Sequence, residues 1–103
     1  MSTEYVVGKL QDLPQGRGIA VSAGKRVIAV FRVGDRVYAM HNRCPHKGAS
    51  LCDGLVDAER GQVRCPWHNW PWKLDSGAFA VDPREHIRTY EVRVVADTVI
   101  LRV

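Results

Sequence analysis

A chain of 103 residues fits one compact domain and leaves no room for a separate catalytic module of ordinary size. With 46% hydrophobic and 25% charged residues, it has the composition of a globular protein, which excludes disordered, collagen-like and coiled-coil classes. Fifteen Lys and Arg against eleven Asp and Glu give a net charge of +4. The cations are scattered, with no cluster of five or more to form a stripe for nucleic acid, so they read as a solvated surface with some bias toward an acidic protein partner.

The opening Met1-Ser2-Thr3-Glu4-Tyr5 lacks the basic and apolar regions of a signal peptide, and no stretch approaches the ~20 apolar residues of a membrane span. The expected location is the cytoplasm, away from any membrane. Short apolar blocks separated by turn residues then predict strands rather than helices: Tyr5–Val7, Gly18–Ser22, Arg26–Phe31 and Arg36–Met40. Ala23-Gly24 and Gly34-Asp35 supply the hairpin turns. At the far end Thr89–Val95 alternates apolar and polar residues, and after Ala96-Asp97 the run Thr98–Val103 completes a C-terminal hairpin. The predicted fold class is all-β.

Between these ends, from about Asn42 to Pro83, lie four of the five prolines, all three cysteines and all three tryptophans. No repeat or flexible linker is visible, so this stretch reads as a subdomain inserted into a β framework within a single domain, 1–103. It holds Cys44-Pro45-His46 and Cys65-Pro66-Trp67-His68, two matched thiolate and imidazole pairs. A C-x-H spacing is too tight for both side chains to leave one helix face, so each pair needs a turn or extended loop. Pro45 and Pro66 disfavour helix at the cysteines before them. Three cysteines are a poor disulfide framework, and metal binding is the better use for them in a reducing compartment. Two Cys and two His also suit a structural Zn²⁺ site, and a non-redox zinc-binding interaction domain is the rival reading. Zinc fingers, however, commonly group their cysteines apart from their histidines.

The blocks Cys44-Pro45-His46-Lys47-Gly48-Ala49-Ser50-Leu51 and Cys65-Pro66-Trp67-His68-Asn69-Trp70, followed by the turn Leu74-Asp75-Ser76-Gly77, resemble the cluster-binding loops of Rieske proteins. The resemblance covers nearly the whole chain. It implies stacked antiparallel sheets with an inserted cluster-binding subdomain (about 42–83), and one [2Fe–2S] cluster with Cys44 and Cys65 on one iron and His46 and His68 on the other. With neutral imidazoles such a ligand set carries about two fewer negative charges than four thiolates, which eases addition of an electron. Leu51 and Trp67 would shield the cluster, Gly48 and Gly54 would let backbone pass closely, and Pro83 resembles the proline loop that covers the cluster in relatives. His41 and His86 lie outside the motif, and no redox role is expected of them.

Respiratory Rieske proteins carry a loop disulfide, which is absent here: Cys52 is misplaced for it and Trp67 occupies the partner position. In those relatives a serine and a tyrosine hydroxyl near the second histidine favour the reduced cluster, whereas here those positions are Trp70 and Trp72. The resemblance therefore implies a soluble, low-potential electron carrier that performs no catalysis alone. Its partners would be a flavoprotein reductase fed by NAD(P)H and a terminal enzyme. Arg43–Gly48 and His68-Asn69-Trp70 are similar to nitrite reductase small subunits, which would make the partner a nitrite reductase large subunit. The alternative is the ferredoxin of a ring-hydroxylating dioxygenase, with an oxygenase as acceptor.

Overall fold

The computed structural model describes residues 3–45, 48–67 and 69–103. Strands β1 (Glu4–Lys9), β2 (Gly18–Ala23), β3 (Arg26–Val33) and β4 (Arg36–His41) come first, followed by β5 (Leu55–Asp57), β6 (Gln62–Arg64) and β7 (Pro71–Lys73), then β8 (Thr89–Val95) and β9 (Thr98–Arg102). Among the described residues there is no α-helix, and no helix is long and apolar enough to cross a membrane.

Six strands form one antiparallel sheet in the order β1-β9-β8-β4-β3-β2. Its two ends, β1 through Tyr5 and Val7 and β2 through Ile19 and Val21, pack onto the same buried cluster of Ile28, Val30, Ala39, Val99 and Leu101. The sheet is therefore folded over on itself as a nearly closed barrel. Its hairpins close where the sequence predicts: Ala23 faces Arg26, Val33 faces Arg36 and Val95 faces Thr98. The last turn holds Ala96 and Asp97 at φ 48° and 64°, positive at both central positions, as the twist of a tight hairpin requires.

Strand β3 explains how the second layer attaches. Its run Ile28-Ala29-Val30-Phe31 is buried at all four positions. Because side chains alternate across a strand, Ile28 and Val30 enter the barrel core while Ala29 and Phe31 point to the other face. There they meet Met40, Leu51, Val63, Trp72, Leu74, Phe79 and Ile87, which form a second core together with Cys44 and Cys65. The small antiparallel sheet β5-β6-β7 closes over this face. Its strands have three residues each, too short for a periodic signal, and lie inside the stretch read from sequence as an insertion.

Candidate metal centre

Cys44 and Cys65 reach the site by parallel constructions. Cys44 follows β4 in a loop where its own N–H donates to the carbonyl of Ala49 at 2.9 Å and Gly48 N–H donates to the carbonyl of Cys44 at 2.8 Å. Cys65 follows β6 in the β6–β7 hairpin loop, and its N–H donates to the carbonyl of Trp70 at 2.9 Å. Each cysteine thus opens a loop closed by its own amide onto the residue five places ahead. Asn69 turns the second loop with φ 55°, a conformation asparagine tolerates better than most residues. The base of the first loop is pinned by Asn42, whose side-chain oxygen accepts the Cys52 N–H at 2.8 Å and whose carbonyl accepts that of Leu51 at 2.8 Å.

Both cysteines are 1% exposed and both are free thiols. They are also neighbours. Burial pushes the Cys65 thiol up to about 11; the backbone N–H of Trp67, donated to its sulfur, works against that rise, and the adjacent Cys44 side chain adds to it. Two neighbouring, unbridged sulfurs in one apolar pocket are soft donors placed for a single cation, which would displace their protons and supply the positive charge the pocket lacks. The donor set therefore fits a thiolate-bound iron centre. His46 and His68, predicted as the other two ligands, lie outside the described residues.

The expected shielding residues separate. Leu51 is fully buried in the core that contains both cysteines, as expected of a water-excluding wall. Trp67 is 58% exposed, on the hairpin loop that follows β6. Trp70 instead stacks on Phe79 at 5.1 Å and 12°, and Trp72, fully buried, tilts against the same ring at 4.9 Å. Gly54 gives close backbone passage, since a Cβ there would run into the carbonyl oxygen of Arg64. Pro83 is exposed, on a loop clamped by Arg84, which bonds both carboxylate oxygens of Asp82 at 3.0 and 2.8 Å. That pairing holds the Asp82 carboxyl below its usual range. Cys52 sits half-buried in the turn Leu51–Asp53. Its thiol is pushed up by burial and by the neighbouring Asp53 carboxylate.

Comparison with known proteins agrees with this geometry. The model of the Rieske [2Fe–2S] domain matches residues 3–91. The anthranilate 1,2-dioxygenase ferredoxin subunit of Burkholderia cepacia is 37% identical over 92 residues, covering 88% of this chain and 83% of that one. Among solved structures, the ferredoxin of carbazole 1,9a-dioxygenase from Nocardioides aromaticivorans superposes with a TM-score of 0.88 at 31% identity, covering 96% of both chains. A Mycobacterium tuberculosis protein described as the small subunit of an NADH-dependent nitrite reductase gives a TM-score of 0.90 at 26% identity, covering 100% of this chain and 96% of that one.

Proposed function

Because this chain belongs to the Rieske [2Fe–2S] family, we propose that it is a one-electron carrier whose single cluster takes Cys44 and Cys65 on one iron and His46 and His68 on the other. The observation that supports Cys44 and Cys65 as ligands is the adjacency of two buried, unbridged thiols at the mouths of two loops built alike; His46 and His68 follow from the motifs in which those cysteines stand. When bound, the cluster supplies one-electron oxidation and reduction. The chain's own residues prepare for it: the loop amides fix the two sulfurs, the Trp67 N–H stabilises negative charge on Cys65, and Leu51 with its neighbours keeps water from the buried side.

In this reading the whole chain, 1–103, is a single Rieske domain with its cluster-binding subdomain at about 42–83. It works in the cytoplasm between a flavoprotein reductase fed by NAD(P)H and a terminal enzyme. Identity to the dioxygenase ferredoxins favours an oxygenase as acceptor. The loop motifs, together with the nitrite reductase likeness, favour a nitrite reductase large subunit. Stopped-flow oxidation of the reduced protein by each purified acceptor distinguishes the two.

Anaerobically purified protein is expected to be red-brown, with two irons and two labile sulfides per chain and, after reduction, the electron-spin signal of a mixed His/Cys [2Fe–2S] cluster. A colourless protein with one zinc would overturn the proposal.

The midpoint potential is expected in the bottom third of the Rieske range of about −150 to +300 mV. Hydroxyls at positions 70 and 72 would favour the reduced form, but indoles stand there, committed to contacts with Phe79. Such a value suits electron intake from a flavin. Protein-film voltammetry near neutral pH measures it, and a midpoint above about +100 mV, well into the upper part of that range, would show that other donors replace the missing hydroxyls.

A further inference from the structure

A cleft of about 760 Å³ opens beside the first cysteine loop, ringed by Arg26, Arg43, Arg88, His41 and His86 with Tyr90 among its walls. Backbone pairing far apart in the chain assembles it. His41 N–H donates to the Arg88 carbonyl at 2.9 Å and Asn42 N–H to the Val27 carbonyl at 3.1 Å, so the start of β3, the end of β4 and the segment leading into β8 meet at one rim. Arg88 lies over the Tyr90 ring at 5.1 Å. Arg43 lies along the cysteine loop, its Nε 3.1 Å from where a Cβ on Gly48 would stand.

Among the described residues the charge here is uncompensated. Arg60 and Arg64 face Asp57, Arg84 faces Asp82, Arg93 faces Glu4 and Arg102 faces Glu91. Arg26, Arg43 and Arg88 have no ion pair among the described residues. Three other hollows of the surface each contain carboxylates, from Asp57, Glu59, Asp75 or Glu91. Among the described residues the cleft contains none, and neither does the adjoining hollow that shares Arg26 and Arg43 and adds Lys25. Like charges gathered in a concave site repel one another and focus a positive potential. Guanidinium forks answer that potential best with carboxylates, which they bind through two parallel hydrogen bonds.

We infer that this cleft is the receptor for an acidic segment of the redox partner, seated against the first cysteine loop. The inference rests on the electron-carrier reading and adds where the partner's carboxylates go. A single small anion would leave most of the space empty. Cations spread over two adjoining hollows, from Lys25 to Arg88, fit a chain segment bearing several carboxylates.

Hexaglutamate serves as the probe, titrated calorimetrically into the holoprotein at low salt. Binding is expected, and R26A/R88A should weaken it at least tenfold. R17A/R36A, which removes the same charge elsewhere, should change it less than twofold. Should the double variant lose iron, R26A alone carries the test, with at least a threefold loss expected. Equal weakening by both pairs of substitutions would show that net charge alone is sensed, and absence of binding would leave the cleft without its ligand class. Citrate binding as tightly as hexaglutamate would assign it to a small anion. Each of these results overturns the inference. Iron content and spin signal of the same samples test the carrier reading separately: iron-free protein that still binds hexaglutamate through Arg26 and Arg88 would fail that reading and keep the cleft.

Discussion

Alanine at Cys44, His46, Cys65 or His68 is expected to reduce iron to background, whereas Cys52→Ser keeps two irons per chain. The contrast follows from placement. Cys44 and Cys65 share one buried pocket, while Cys52 is held by its backbone to Asn42 and stands outside both Cys/His motifs. Since ligand binding is coupled to folding, the four ligand variants should also unfold at lower temperature. Removing iron from the unmutated protein adds a pH signature. The Cys65 thiol, at about 11 in the fold against about 8.5 in an unfolded chain, binds its proton more tightly when folded. Its contribution to apo-protein stability is therefore full below the unfolded value and is lost as pH climbs toward 11. Iron assay, spin resonance and thermal unfolding measure all of this. Full iron in any ligand variant, together with loss in the Cys52 variant, would sink the assignment.

What could be seen in the sequence was whatever is local. The hairpins β2–β3, β3–β4 and β8–β9 announce themselves through turn residues between apolar runs, and the two Cys/His pairs do so through spacing within four residues. Long-range pairing leaves no such trace. That β1 closes against β9, with Tyr5 facing Leu101, depends on the barrel folding over itself. Strand β3 reads simply as apolar, yet its alternate residues serve two different cores. The short strands β5, β6 and β7 are hidden because Val63 and Trp72, each fully buried, are the central positions of strands too brief to show a period. The exposure of Trp67 was likewise invisible, since an aromatic residue inside a Cys/His motif reads equally well as cover or as ordinary packing. The basic cleft was missed for the same reason as the barrel closure. Arg26, His41 and Arg88 come from three separate segments, and His41 and His86, seen singly, carry no motif.

Gly77→Ala is expected to be among the most destabilising single changes outside the ligands, and Gly16→Ala provides its control. Both residues have left-handed backbones, φ 73° and 68°, where a Cβ costs about 1 kcal/mol from strain alone. The space around them differs. Nothing lies within 4 Å of a Cβ at Gly16, whereas one at Gly77 would run into the carbonyl oxygen of Ile87 and stand 3.0 Å from Thr89 Cγ2. Gly77 also ties the subdomain shut: its N–H donates to the Lys73 carbonyl at 2.8 Å and its carbonyl accepts the Ile87 N–H at 2.8 Å. Ile87 packs in the same core as the two cysteines. Strain plus the overpacking penalty brings the expected loss at Gly77 to about 3 kcal/mol or more. In a chain of this size 1 kcal/mol moves the melting temperature by about 4–8 °C. Gly16→Ala should therefore melt within about 8 °C of the unmutated protein with full iron, and Gly77→Ala should melt at least about 12 °C lower with reduced iron. Scanning calorimetry of the two holoproteins decides it. Equal melting temperatures would mean that the Ile87 segment yields freely, and that the turn at Leu74–Gly77 does not hold the cluster-binding half of the molecule closed.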